Sequence, residues 1–448
     1  MSNTTLVISD LHLADGHTIL DGFGDAQQAA FEGLTSAADA AGPLGHADEI
    51  ELVINGDCFD FLATAPYDTG GITDISTSLE KLSKIIATHT PFFEALRRFI
   101  ETPGRHVTFI TGNHDIELRL ARVREEISTA IGGEHVMERV SFCPTRFYRP
   151  LPDVYIEHGN HYDFWNQAMR GLWNENGQPL DLNPSTIILP VGSHYFQHAA
   201  HPISINYAYF DRFEPSMNSM RQIALLCLLN PTFVMEIAKL TMDLFSEPRK
   251  ALAGLAPDEE CSPDKLFEQA IIDFAALQQE MSSRKTDWVE HGNLDNQQVQ
   301  ASTIIEFDML REALKLPLVE AITAICTPTT YEMGEGVALG MQTVLKQDPT
   351  LRYAIAGHTH MVRIDSVNNG TQSYLNTASW TARLAMPAPG EITPALIEWL
   401  RHPNWEKVPL RDVTQFIFAM VNSTASGASS ASLCVWEGGS KGSYRVLA

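Results

Sequence analysis

Six short apolar runs, each ending in a cluster of polar residues, constrain the fold of this 448-residue chain more than any other feature. The runs end in ISD, NGD, TGNHD, EHGNH, AGHTH and LNTAS, at residues 10, 57, 115, 161, 360 and 379. Continuous apolar runs of this length predict strands that are buried on both faces. Helical patterns at 78–101 and 115–131 lie between some of these strands. The sequence therefore predicts an α/β fold, with a site at the carboxyl ends of its strands.

The segment 164–335 has a different pattern. It contains few strand signals, and amphipathic helical patterns cover 220–245, 264–281 and 303–325. We therefore predict a core in two parts, 1–163 and 336–448, separated by a mostly helical insertion or cap at 164–335. The second part is predicted to end in a hairpin that turns at Gly438 and Gly439.

Composition argues against several classes of function. With 31 Lys and Arg against 55 Asp and Glu, the net charge is −24, which disfavours sequence-independent binding to nucleic acid or anionic membranes. The six cysteines form no CxxC pair, so neither a disulfide framework nor a zinc–thiolate site is expected. No apolar run is long enough to predict a transmembrane segment, and the N-terminus has no signal-peptide pattern. We expect a cytoplasmic protein.

Candidate metal ligands follow five of the predicted strands. Asp10 and His12 stand two residues apart, as do His358 and His360, and residues i and i+2 of an extended segment project to the same side. Single candidates follow three other strands: Asp57, Asn113 and His158. Carboxylate, imidazole and amide ligands without thiolate suit Mn²⁺, iron or Zn²⁺. Two divalent ions would leave a net positive field beside the two carboxylates, and this field suits an anionic phosphoryl group.

The order of the motifs resembles that of the calcineurin-like metallophosphoesterase superfamily. The motifs are DLH at 10–12, GDCFD at 56–60, GNHD at 112–115, HG at 158–159 and GHTH at 357–360. The resemblance covers about residues 4–163 and 350–380. Within the superfamily, the motifs look closest to the UDP-diacylglucosamine pyrophosphohydrolase-like branch, although that branch carries Arg where this chain has His114. The implied fold is a four-layer sandwich of two mixed β-sheets flanked by helices.

The resemblance also implies a role for each motif residue. One ion would be held by Asp10, His12, Asp57 and His360. Asp57 would bridge to a second ion, completed by Asn113, His158 and His358. His114 would act as general acid, with Asp115 orienting its imidazole. A water bridging the two ions would be the nucleophile. Mn²⁺ is the expected metal, with iron and Zn²⁺ as alternatives.

The expected function is hydrolysis of a small or nucleotide-linked phosphodiester or phosphomonoester. Two alternatives stay open: a nuclease of the same superfamily, and a metal-binding scaffold without catalysis. Asp60 is expected to support the site rather than to bind metal, while His161 and Asp163 fit support of the site and capping of the next helix equally well. Oligomeric state is left open.

Overall fold

The computed structural model describes residues 2–230 and 313–447, apart from short gaps at 18, 40–41, 43, 68, 134–137, 164–165, 168–171, 175, 198–200, 216–218, 314, 328–334 and 424–428. It divides into two compact units. The first comprises Met1–Gln197, Gly334–Arg383 and Val413–Ala448, and the second comprises His198–Met333 and Leu384–Asp412. The segment 164–335 thus contributes to both units, and its role as a cap stays a prediction. The predicted helix at 264–281 lies outside the described residues, as do large parts of those at 220–245 and 303–325.

The described residues form a mixed α/β structure. Its strands are β1 (Asn3–Ile8), β2 (Glu49–Asn55), β3 (Ile72–Asp74), β4 (Arg105–Ile110), β5 (Val140–Phe142), β6 (Phe147–Tyr148), β7 (Val154–Glu157), β8 (Thr186–Ile188), β9 (Phe213–Glu214), β10 (Tyr353–Ala356), β11 (Val362–Val367), β12 (Gln372–Thr377), β13 (Leu384–Ala385), β14 (Phe416–Ser423), β15 (Ser429–Glu437) and β16 (Ser443–Val446). Its α-helices are α1 (Asp25–Ala37), α2 (Ile75–Thr88), α3 (Thr90–Glu101), α4 (Ala121–Ile131), α5 (Val191–Tyr195), α6 (His201–Asn206), α7 (Tyr209–Arg212), α8 (Ser219–Leu229), α9 (Leu318–Cys326), α10 (Glu335–Gln347) and α11 (Pro394–Arg401).

The first unit contains two large mixed sheets and a two-stranded sheet of β3 and β8. The seven-stranded sheet has the order β16-β15-β14-β1-β2-β4-β5, in which β1, β2, β4 and β5 are parallel and β14 joins β1 antiparallel. The five-stranded sheet has the order β11-β12-β10-β7-β6, with β7, β10 and β12 parallel. Parallel strands bring their carboxyl ends to one edge of a sheet, so the polar clusters that follow them are gathered there.

Alternation of side chains along β1 shows how the sheets are packed. Leu6 and Ile8 point into a core shared with Phe31 of α1 and Leu96 of α3, whereas Val7 points into a second core shared with Ile355 of the other sheet. The opposite face of the five-stranded sheet packs on α10. Each central strand is therefore buried on both faces, as the apolar runs predict, and the first unit is an α/β sandwich with helices on its outer faces.

All six predicted strands are present, but the predicted helices are divided. The pattern at 78–101 comprises two helices, α2 and α3, that meet at His89. Pro91 explains the break, because proline is tolerated in the first turn of a helix and not in its interior. The pattern at 115–131 comprises a 3₁₀ turn, Ile116–Arg119, followed by α4. At the C-terminal end of the described chain, β15 and β16 pair antiparallel as a hairpin.

The second unit has its own apolar core, which includes aromatic side chains from α7, β9 and α11. Tyr209, Phe213 and Trp399 are all buried in it, and the Tyr209 hydroxyl donates to the carbonyl of Leu400 at 2.8 Å. In the part of the chain that the structure describes, no helix combines the length and apolarity needed to cross a membrane. The described cysteines, which do not include Cys261, are buried and unpaired.

Candidate metal centre

Five of the predicted ligands lie on left-handed turns directly after strands. The φ angles are 56° at Asp10, 52° at His12, 51° at Asp57, 67° at His358 and 57° at His360. Among the described non-glycine residues, only Asn368, Asn369 and Ala378 also have positive φ. Such a conformation costs roughly 1–3 kcal/mol per residue and persists where the surroundings impose it, most often at functional sites.

Hydrogen bonds between neighbouring turns impose this conformation. The amide of Asp10 donates to the carbonyl of Gly56 at 3.1 Å, and the amide of His12 donates to that of Asp57 at 3.0 Å. Space is equally restricted: a Cβ added at Gly112 would lie 2.1 Å from Asp57 Oδ1, and one at Gly357 would lie 2.4 Å from Asp10 Oδ2. The glycines of the third and fifth motifs are therefore needed for the backbone to approach these carboxylates.

Asp10, His12 and His360 form what we call the first cluster. One oxygen or nitrogen atom from each residue lies within 4.8 Å of one from each of the other two. Nε2 of His360 lies 3.2 Å from Asp10 Oδ1 and 3.2 Å from Nε2 of His12. Asp10 is fully buried, and its pKa is lowered because the positive charge of His158 and contact with His360 outweigh the effect of burial.

Asp57, His158 and His358 form the second cluster, in which one oxygen or nitrogen atom from each residue again lies within 4.8 Å of the others. Nδ1 of His158 lies 2.9 Å from the carbonyl of Asn55, which can only accept a hydrogen bond. In the neutral imidazole Nε2 of His158 is therefore unprotonated, and it lies 3.1 Å from Asp57 Oδ2. Asp57 Oδ2 is also 3.9 Å from Nε2 of His12, so Asp57 lies between the two clusters.

One buried atom tests whether these residues suit a metal pair. Among the described residues, the buried Asn113 Oδ1 has no hydrogen-bond partner. An unsatisfied buried polar group costs roughly 1–3 kcal/mol, and a cation would remove that cost. Asn113 is held next to the second cluster, since the following amide, that of His114, donates to Asp57 Oδ1 at 2.8 Å. The carboxylate, imidazole and amide groups therefore fit divalent ions.

Asp60 connects the first cluster to His114. Its Oδ2 accepts from Nδ1 of His12 at 2.9 Å, and its Oδ1 accepts from Nδ1 of His114 at 3.0 Å. His12, Asp60 and His114 also lie close enough together to surround an ion, but the two separations from Asp60 are those of hydrogen bonds. Burial alone would lower the pKa of His114, but the carboxylates of Asp60 and Asp57 outweigh it and raise the pKa to about 10.

The predicted role of Asp115 is wrong. Asp60, and not Asp115, lies at Nδ1 of His114. Asp115 Oδ1 accepts from the amide of Gly112 at 2.7 Å, and Oδ2 accepts from the amide of Cys58 at 2.8 Å. An Asp in a turn readily bonds to nearby main-chain amides, and here those bonds hold the loop that carries Asn113 and His114. Burial, reinforced by the charge of Asp57, raises the pKa of Asp115 to about 7.

Asp163, the last residue of the predicted first core part, and Ser193 and Phe196, from the predicted insertion, also lie at the site. Oδ2 of Asp163 lies 3.0 Å from Nε2 of His358, a contact that the sequence left undecided. The ring centroid of Phe196 lies 6.2 Å from that of His114, and Ser193 Oγ donates to the carbonyl of Asn113 at 3.4 Å. The pairing of β8 with β3 holds this segment on the core. Neither Phe196 nor Ser193 carries a sequence signal that would have identified it.

Comparison with known proteins does not identify a family. No family model matches the sequence, and a search of curated proteins finds none that is similar to it. The resemblance to the metallophosphoesterases therefore rests on the ordered motifs alone.

Proposed function

We propose that this chain is a dinuclear, metal-dependent phosphoesterase of the calcineurin-like type, and that its α/β sandwich is the four-layer arrangement of that superfamily. One observation carries the proposal: two buried clusters, each of one carboxylate and two imidazoles, meet where Asp57 of the second faces His12 of the first, with His114 beside Asp57. Either cluster alone would be compatible with a structural ion. The pair next to a histidine held by a carboxylate supports catalysis.

Each group has a part in this proposal. The first cluster would hold one ion and the second cluster, with Asn113, would hold the other, with Asp57 shared between them. When bound, two such ions lower the pKa of water and neutralise phosphoryl oxygens. Asp60 fixes Nδ1 of His114, which leaves Nε2 to donate a proton to the leaving oxygen. The side chain of His114 is 22% exposed, so a substrate can reach it.

Charge supports a small anionic substrate rather than a nucleic acid. The chain carries a net charge of −24, whereas binding along a nucleic-acid backbone relies on Lys and Arg. Two divalent ions at this site would bind phosphoryl oxygens directly, even with the carboxylates of Asp60 and Asp163 beside their ligands. A small or nucleotide-linked phosphodiester or phosphomonoester suits such ions.

The test is hydrolysis by metal-stripped protein to which Mn²⁺ is returned. Bis-p-nitrophenyl phosphate and p-nitrophenyl phosphate are assayed in parallel, with Asp57→Ala as the inactive control. We expect Mn²⁺-dependent release of p-nitrophenol that Asp57→Ala abolishes, and the ratio of diester to monoester rates separates the two substrate classes. If the protein binds two ions but hydrolyses neither of these substrates, nor any nucleotide-linked diester, the result would favour the metal-binding scaffold instead.

A further inference from the structure

We infer that Asp163 is a positioning residue for the second cluster: its carboxylate fixes the imidazole of His358 so that Nδ1 is presented to an ion. The inference rests on the metal occupancy contained in the proposed function. Oδ2 of Asp163 lies 3.0 Å from Nε2 of His358, and the His358 side chain is only 10% exposed. A carboxylate accepts and does not donate, so Nε2 of His358 carries a proton and, in the neutral imidazole, Nδ1 keeps its lone pair.

The backbone of His358 is already fixed from the other side. Its amide donates to the carboxylate of Asp10, with distances of 3.2 and 3.0 Å to the two oxygens, and its φ is 67°. What is still undetermined is the orientation of the ring and its tautomer, and the contact with Asp163 sets both. His158 is fixed differently, through Nδ1 and the carbonyl of Asn55. The two imidazoles of the second cluster thus present opposite ring nitrogens, Nε2 from His158 and Nδ1 from His358.

Asp163 itself is held by the chain that leaves β7. Its amide donates to the carbonyl of Asn160 at 3.1 Å, and its carbonyl accepts from the amide of Gln167 at 2.8 Å. Nδ2 of Asn166 donates to the same Oδ2 that faces His358, at 2.8 Å. The carboxylate therefore has a defined place although its side chain is 31% exposed. Loss of a carboxylate that orients a ligating histidine typically lowers metal affinity by about 10- to 100-fold.

The experiment measures Mn²⁺ binding to metal-stripped protein by equilibrium dialysis, together with electron paramagnetic resonance of the bound ions. The variants are Asp163→Ala and Asp163→Asn. The matched control is Asp348→Asn, because Asp348 has the same side-chain exposure of 31% and also accepts from a partner, Arg149, outside the site. We expect two ions and a spin-coupled signal from the wild type and the control. Asp163→Ala should keep one ion and lose about 10- to 100-fold in affinity for the second.

A second readout separates positioning from general loss of structure. In ¹⁵N-histidine-labelled metal-free protein, His358 should be the Nε2–H tautomer, and Asp163→Ala should remove that preference while the signals of His12 and His158 stay unchanged. His358→Gln assigns the resonance. Asp163→Asn keeps the shape of the side chain without its charge, so it tests the inference should the alanine variant misfold.

The outcomes distinguish this inference from the proposed function. Two ions bound by Asp163→Ala with wild-type affinities, or an unchanged His358 tautomer, would overturn it. Weakened binding of the second ion in a protein whose wild type hydrolyses no phosphoester would retain the inference and overturn the proposed function. A wild type that binds no Mn²⁺, Zn²⁺ or iron would overturn both.

Discussion

The two clusters have the same composition, one carboxylate and two imidazoles, but each takes two of its three residues from a different sheet. The first takes Asp10 and His12 from the end of β1, in the seven-stranded sheet, and His360 from the segment after β10, in the five-stranded sheet. The second takes one residue, Asp57, from the seven-stranded sheet and two, His158 and His358, from the other. Each cluster therefore forms only when both sheets are in place.

The clusters differ in what supports their histidines. In the first, Nδ1 of His12 is held by Asp60, whose side chain is 7% exposed. In the second, His358 is held by Asp163, whose side chain is 31% exposed. A charge-assisted hydrogen bond is stronger where water is excluded. We therefore expect the first cluster to bind its ion more tightly than the second.

The largest effect tests whether the clusters are one centre. Asp57→Ala removes a carboxylate that lies between them, so both ions should bind weakly and turnover should fall by about 10⁴-fold or more, because metal ions supply several kcal/mol of transition-state stabilisation. Initial rates and metal content check this, with Asp348→Asn as control and circular dichroism to confirm folding. Loss of a single ion with full activity would show that the clusters act separately.

A second substitution separates metal binding from proton transfer. His114→Ala should lower turnover by about 10²–10⁴-fold, the usual contribution of a general acid, while two ions stay bound. Asp60→Ala should reduce turnover comparably and also weaken the first ion, because Asp60 supports both His12 and His114. Metal content measured beside kcat distinguishes the two. If both variants retain two tightly bound ions, Asp60 contributes only through His114.

A third measurement ranks the clusters directly. Titration of metal-stripped protein with Mn²⁺ should fill the first cluster before the second, with affinities that differ by about tenfold or more. Calorimetry of the wild type, His360→Ala and His158→Ala assigns each step, because each variant removes a ligand of one cluster only. Equal affinities would contradict this ranking. Loss of the tighter binding step in His158→Ala would reverse it.

The smallest effect on activity is expected from a change in the packing near Asp60. Lys81 donates to the carbonyl of Phe61 at 2.7 Å, and burial raises the pKa of nearby Glu117 from 4.5 to about 7. Between these two pH values, folded protein keeps a proton that unfolded protein releases. The contribution of Glu117 to the free energy of unfolding is therefore complete below pH 4.5 and is lost as pH rises through 7. Glu117→Gln should gain about 3 kcal/mol relative to wild type between pH 4.5 and pH 8.

Urea unfolding at both pH values, with chelator present, checks this prediction. Exposed Glu101→Gln is the control, for which no such gain is expected. A constant difference between wild type and Glu117→Gln would mean that the carboxyl group of Glu117 does not titrate in this range. Activity at neutral pH should change little, since Glu117 touches neither cluster.

Local pattern was sufficient for the central strands and for the ligand positions. An apolar run such as IELVIN becomes β2 because it can be buried on both faces, and Asp57 then follows at its carboxyl end. The same pattern could not reveal β14, because its place beside β1 depends on a pairing of residues more than 400 positions apart, such as Asn3 with Ser423. Nor could adjacency reveal that Asp115 turns away from His114 to main-chain amides.

The sequence by itself determined the α/β class and which side chains follow the strands, since burial and chain direction are local properties of each run. Only the tertiary structure decided how those side chains pair. Asp60 joins His12 to His114, and Asp163 joins His358, because separate turns are brought within hydrogen-bond distance when the two sheets pack. Such contacts depend on distances between segments far apart in the chain, and spacing along the sequence carries no record of them.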